Sequence, residues 1–212
     1  RENVLLNRGG IFSTLEETGE GSAGNVSLEA PSILLNNRSQ IRSQTLGLGK
    51  AGNVRITASD KIEIDKKSLI TSRVTNSGSG QGGNIQFQAK SILVADYSEV
   101  AANTFGNGDA GNVFVTAQDK VIVDGGGFFS NTGKPDDINL NLANAGDINI
   151  NTGSLFVTKG GQLVSLNAGT GKAGNVNIIA RDDVRFDGVN DNGDASLACT
   201  IVELRAVGDA GN

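Results

Sequence analysis

The chain contains no histidine, no methionine and no tryptophan, and it has one cysteine, one tyrosine and two prolines among 212 residues. Without histidine there is no Ser-His-Asp triad, no imidazole acid-base chemistry and no histidine ligand for zinc. Cys199 stands alone, so neither an intrachain disulfide framework nor a cysteine-based metal site can form. No apolar run approaches the roughly 20 residues of a membrane-crossing helix. No stretch sustains a 3.6-residue period between caps, so helix is absent or minimal. Runs of Lys and Arg are missing too, and the net charge is −5. Residues 1–75 carry 10 basic and 8 acidic groups, residues 76–212 carry 8 and 15. Neither half is a nucleic-acid footprint, and both read as solvated surface. The chain shows no signal peptide. It begins without Met and ends within a repeat, so it is read as a segment of something longer.

What is abundant is glycine, with 30 residues, and asparagine, with 23. Both recur in one phrase: Ala23-Gly24-Asn25-Val26, Ala51-Gly52-Asn53-Val54, Gly82-Gly83-Asn84-Ile85 and Ala110-Gly111-Asn112-Val113. It returns as Ala145-Gly146-Asp147-Ile148 and Ala173-Gly174-Asn175-Val176, and a seventh copy opens with Ala210-Gly211-Asn212. The glycines are spaced by 28, 31, 28, 35, 28 and 37 residues. A basal period of 28 with insertions defines a repeat architecture.

Each copy carries three apolar pairs at strand spacing. The first is Val26/Leu28, Val54/Ile56, Ile85/Phe87, Val113/Val115, Ile148/Ile150 and Val176/Ile178. The second is Ile33/Leu35, Ile62/Ile64, Ile92/Val94, Val121/Val123, Leu155/Val157 and Val184/Phe186. The third couples an apolar residue to a small one: Ile41/Ser43, Ile70/Ser72, Val100/Ala102, Phe129/Asn131, Leu163/Ser165 and Ala198/Thr200. Alternation at period two places each pair on one face of a strand. Residues 1–22 fit a partial first coil, with Val4/Leu6 and Ile11/Ser13 at the second and third strands. Residues 23–210 hold six repeats, and 211–212 start another, within one repeat domain spanning 1–212. Three short strands cannot bury a core alone, so each coil must stack on the next. The expected fold is all-β: a right-handed parallel β-helix, or solenoid, of six to seven coils.

In that fold Gly24, Gly52, Gly83, Gly111, Gly146 and Gly174 are turn glycines, each leading the chain sharply into its first strand. Asn25, Asn53, Asn84, Asn112, Asp147 and Asn175 form a ladder of side-chain amides from coil to coil. A carboxylate accepts but cannot donate, so Asp147 is expected to interrupt it. Insertions precede the anchors at 76–81, 133–144 and 187–195, where a solenoid carries its working loops.

The Ala-Gly-Asn-Val anchor resembles the repeats of filamentous-haemagglutinin-like exoproteins of two-partner secretion systems. So do Lys61-Ile62-Glu63-Ile64 and the following Ser68-Leu69-Ile70-Thr71-Ser72. Phe186-Asp187-Gly188-Val189, Asn192-Gly193 and Ala206-Val207-Gly208-Asp209-Ala210-Gly211-Asn212 are similar to a phrase of the cyanobacterial members. The resemblance implies a large secreted β-helical protein. It would leave the cell through a partner outer-membrane transporter and be displayed on, or released from, the bacterial surface. It supplies no catalytic residues.

Chemistry is sparse. Asp136-Asp137 follows Pro135, and Asp182-Asp183 falls where Asp60-Lys61 and Asp119-Lys120 fall, so both pairs read as turns. Gly106-Asn107-Gly108-Asp109 occurs once, whereas calcium-binding glycine-rich repeats come in tandem. Gly125-Gly126-Gly127 lacks the Lys-Ser/Thr of a phosphate loop. Of Phe128 and Phe129, one is a core ring and the other partly exposed. The expectation is therefore a structural and adhesive shaft, not an enzyme, without metal or cofactor. Its partners would be the transporter, a surface glycan or protein receptor and, by end-to-end stacking of exposed coils, other copies of itself. Two other readings stay open: a carbohydrate-active or tailspike-like β-helix with carboxylates converging from different coils, and a binding module built on the 133–144 and 187–195 loops.

Overall fold

Strands of three to six residues bury too little to stand alone, and this chain solves the problem by coiling. A computed structural model describes residues 2–133, 143–203 and 208–212, and over these the chain is an all-β parallel solenoid with no helix. One sheet, here sheet A, has eight strands. It runs Val4–Asn7, Val26–Asn36, Val54–Ile64, Ile85–Ala95, Val113–Asp124 and Ile148–Thr158, ending in Val176–Ala180 and Val184–Asp187. Sheet B has seven: Gly10–Leu15, Gln40–Thr45, Leu69–Val74, Glu99–Thr104, Gly127–Thr132, Gln162–Asn167 and Leu197–Val202. A short pair, Glu20–Ser22 with Leu48–Lys50, lines the third side and is extended by bridges from Leu48 to Ser79 and Ser79 to Asn107.

The registers are those of the repeat. Val26 lies on Val54, Val54 on Ile85, Ile85 on Val113, Val113 on Ile148 and Ile148 on Val176. In the partial first coil Val4 and Leu6 pair with Ile33 and Leu35, and Ile11 and Ser13 with Ile41 and Ser43. In the last coil Ala198 and Thr200 pair with Leu163 and Ser165. Like residues thus stack in columns, and the middle of each column is sealed from water: Val54, Ile56, Ile62, Ile64, Ile70, Ile85 and Phe87 are fully buried. Phe87 and Phe128 meet edge to face, centroids 6.2 Å apart. Burying one such side chain stabilises by about 1.5–3 kcal/mol. An exposed pair such as Lys61–Glu63, at 2.9 Å, contributes at most about 1 kcal/mol. The columns, not the surface charges, hold the coils together.

Two expectations are corrected here. The first and second strands of a repeat are not separate: in five coils they form one continuous strand of 11 or 12 residues, irregular near its middle in places, as between Ala30 and Ser32. They part only in the last coil, at Val176–Ala180 and Val184–Asp187. The third pair of the fourth repeat is Phe128/Ser130, not Phe129/Asn131, since Val100 lies on Phe128 and Phe128 on Leu163. A slip of one residue exchanges the faces of a strand. Phe128 is therefore the fully buried ring, and Phe129 is partly exposed.

The Gly-Asn corner also works differently from a tight turn. None of the six anchor glycines adopts positive φ. Five of them, from Gly52 to Gly174, lie against the backbone of the coil before, while Gly24 faces only the Ser13 hydroxyl. A Cβ on Gly52 would stand 2.3 Å from the Gly24 carbonyl oxygen, on Gly111 2.0 Å from that of Gly83, and on Gly174 2.2 Å from that of Gly146. Positive φ belongs to a second glycine three residues upstream: Gly21, Gly49, Gly80, Gly108 and Gly171 have φ of 120–155°. Only a residue without a side chain fits both positions.

The asparagine column runs through backbone N–H groups rather than amide to amide. Asn53 N donates to Asn25 Oδ1 at 2.7 Å, Asn84 N to Asn53 Oδ1 at 2.8 Å and Asn112 N to Asn84 Oδ1 at 2.8 Å. Asp147 does not interrupt it. Its N–H donates to Asn112 Oδ1, and its own Oδ1 receives the N–H of Asn175, both at 2.7 Å. The column needs one acceptor per coil, which a carboxylate supplies as well as an amide.

The small residue of the third strand completes the corner. Ser72 Oγ donates to Gly52 O at 2.8 Å and accepts from Gly83 N at 3.0 Å, so one hydroxyl ties two anchors together. Ser43 joins Gly24 and Gly52, Ser130 joins Gly111 and Gly146, and Ser165 joins Gly146 and Gly174 in the same way. In the third coil this strut is missing, because Ala102 occupies the position.

Removing the Ser72 hydroxyl orphans a buried donor and a buried acceptor, at a cost of about 1–3 kcal/mol. Urea unfolding of Ser72→Ala should show that loss. Ala102→Ser, which places a hydroxyl between Gly83 and Gly111, should gain up to about 1 kcal/mol. Equal stability of Ser72→Ala and the parent would refute the strut.

Candidate functional site

Where the long strand of sheet A gives way to sheet B, the chain turns a different corner. Its residues are Arg8, Asn37-Arg38, Lys66-Lys67 and Asp96-Tyr97 in successive coils, and all seven have positive φ, from 49° to 64°. Left-handed backbone costs an L-residue about 1–2 kcal/mol. Gly and Asn are its usual occupants; paired lysines or a tyrosine are not. The stacking holds them there: Arg38 N donates to Lys66 O, Lys67 N to Asp96 O and Tyr97 N to Gly125 O, each at 2.9 Å. A buried serine file braces the inner side. Ser39 N donates to Ser68 Oγ and Ser68 N to Ser98 Oγ, while Ser39 Oγ and Ser68 Oγ return to Asn36 O and Asp65 O.

Outside this brace lies an open groove of about 760 Å³, lined by Arg8, Arg38, Lys66, Lys67, Asp96 and Tyr97 along with Asn37. Among the described residues, none of the four cations is in an ion pair. Lys67 Nζ sits 5.8 Å from the centre of the Tyr97 ring, a weak contact at an exposed site. Asp65 stands beside the groove. Partial burial pushes its carboxyl up against the Lys66 N–H bond that favours ionisation, and the neighbouring Asp96 carboxyl adds to the rise.

The groove continues past Tyr97 into a smaller depression of about 190 Å³. Its walls include Glu99, Phe129, Gln162, Asn190 and Asp194, and glycines 125–127 and 160 line the rest. The 187–195 insertion closes that end. Asn190 Oδ1 receives the N–H groups of Asn192 and Asp194, and Val189 bridges to Ala195, so the loop is folded on itself. It reaches the older coils through Tyr97 Oη, 3.4 Å from Asp191 Oδ2, and the Asp191 charge raises the phenol pKa. Desolvation also raises the Glu99 carboxyl.

The residues singled out from sequence lie elsewhere. The anchor glycines and their Asn/Asp column form the other corner, where they hold backbone to backbone. Asp182 is paired with Arg181 at 2.7 Å in a bend, and Asp183 N–H meets Ser154 Oγ. Asp136, Asp137 and most of the 133–144 insertion lie outside the described residues. Asp109 Oδ1 accepts from both the backbone and the side-chain amide of Asn144, which occupies it structurally. Cys199 is a partly buried free thiol whose pKa burial raises. Among the described residues no cluster of three His, Cys, Asp or Glu could hold a metal ion. No family model, curated protein or solved structure matches the chain.

Because the folded-state pKa of Glu99 lies above its unfolded value, ionising it weighs against the fold, and stability is lost as pH rises through that value. Glu99→Gln should therefore raise the urea midpoint at pH 7, with the gain vanishing below about pH 4, where both states are protonated. A gain that persists unchanged at low pH would contradict this assignment.

Proposed function

We propose that this chain is a non-catalytic shaft segment of a secreted or surface-displayed bacterial exoprotein, acting by adhesion. The observation that carries the reading is the division of labour between its corners. One is filled by glycine, serine and asparagine, all explained by stacking. The other gathers unpaired cations and an exposed tyrosine at strained backbone, which stacking does not require. The anchor phrase adds the likeness to filamentous-haemagglutinin-like exoproteins, and with it export through a partner outer-membrane transporter.

A second reading is favoured by one feature. Glu99, whose carboxyl desolvation raises, shares a depression with Asp194, and a carboxyl of raised pKa near a second one is the kind of pair a glycosidase uses. The two readings part on turnover. Reducing-end and unsaturated-product assays over a panel of polysaccharides should show none for the shaft; turnover abolished by Glu99→Gln would replace the shaft with an enzyme. Protease treatment of intact cells making the parent protein should cleave this region, and full protection would remove the surface location.

A further inference from the structure

We propose that the corner groove binds a linear acidic polysaccharide, a chain of carboxylated or sulfated sugars lying along the solenoid axis. The inference rests on the adhesive reading and names its ligand class.

Four cations, Arg8, Arg38, Lys66 and Lys67, arise from three successive coils at one corner. Neighbouring coils are one strand spacing apart, about 4.8 Å, so the charges form a file parallel to the axis rather than a cup. A file of cations suits a polymer with an anion on each successive unit. A single small anion would meet only one or two of them. Guanidinium binds carboxylate or sulfate through paired N–H groups, and ammonium binds them as a point charge. With no protein carboxylate pairing these four among the described residues, they are available to a ligand.

Beyond the cations the surface changes to suit sugar rather than more charge. Tyr97 is 45% exposed, and its ring and that of Phe129 line the same path. Gln162 and Asn192 then offer amides that both donate to and accept from hydroxyls. Single-stranded nucleic acid would want a longer basic track with several stacking rings. Here Asp96, Asp191 and Asp194 flank the path at and beyond Tyr97, so the anionic contacts are confined to the short file of four cations.

The backbone provides an unusual control. Lys66 and Lys67 have φ of 52° and 61°, where Asn and Gly fit better. The double variant Lys66→Asn/Lys67→Gly removes two charges while relaxing the turn. Its melting temperature should rise or hold while polyanion binding falls. Calorimetric titration of the whole chain with polygalacturonate, dextran sulfate and neutral dextran should show binding of at least one acidic polymer and none of the neutral one. The two acidic arms decide between carboxylate and sulfate. Affinity should drop at least tenfold in the double variant, yet less than threefold in Lys61→Gln/Lys90→Gln, which removes the same charge outside the groove. Equal losses in the two variants would overturn the site. So would binding of neutral dextran, or tighter binding of single-stranded DNA or polyglutamate than of either acidic glycan. Absence of binding ends this inference and leaves the shaft standing, whereas turnover of a bound polymer ends the non-catalytic reading and leaves the groove.

Discussion

Everything in this molecule depends on how closely one coil can lie on the next at the Gly-Asn corner. A Cβ at Gly52, Gly83 or Gly111 would fall within 2.0–2.3 Å of a carbonyl oxygen of the preceding coil, so glycine is a condition of the stacking rather than an aid to it. Close approach leaves backbone groups buried at the corner, and each must find a partner. The serine of the third strand serves two at once, and the Asn or Asp side chain takes the next. Once this corner is set, the Val, Ile and Leu pairs on the two sheets have no freedom of register, and the interior columns follow.

The opposite corner shows what that rigidity allows. Left-handed backbone at Lys66, Lys67 and Tyr97 is unfavourable on its own. It persists because inter-coil hydrogen bonds and the Ser39–Ser68–Ser98 file over-determine it. The turn then projects long charged side chains outward, stacked like the core but facing water. A repeat fold thereby converts a recurring turn into a recurring surface, and insertions such as 187–195 fold down upon it from coils far away in sequence.

Much of the fold was legible because the columns repeat apolar identity. Even the weak third strand of the last copy, Ala198/Thr200, sits where the pattern places it. The exceptions have particular causes. Gly125–Gly127 carry no side chains to show which way the alternation runs, so Phe128 and Phe129 could not be told apart by spacing. Asp147 misled because a ladder of amides and a ladder of backbone donors look alike in sequence, and only the former fails at a carboxylate. The second glycine column, Gly21 to Gly171, was present in the text three residues before every anchor except Gly146, where Ala143 stands, but was masked by the louder phrase. The basic corner was the hardest to see. Nothing in a Lys-Lys pair announces left-handed backbone, and Arg8, Arg38 and Lys66 look scattered until the coils are superposed. The one trace was the imbalance of charge, positive in residues 1–75 and negative after.

Paired spin labels on the outward column of sheet A measure the stacking itself. Ser27, Arg55, Gln86, Phe114, Asn149 and Asn177 lie on successive coils in unbroken register. With cysteines at 27 and 149, or at 27 and 177, in a Cys199→Ser background, the labels are four and five coils apart. Electron-electron resonance should give distances near 19 Å and 24 Å, set by about 4.8 Å per coil. Distances that do not lengthen by one strand spacing from the first pair to the second would contradict the solenoid and everything built on it.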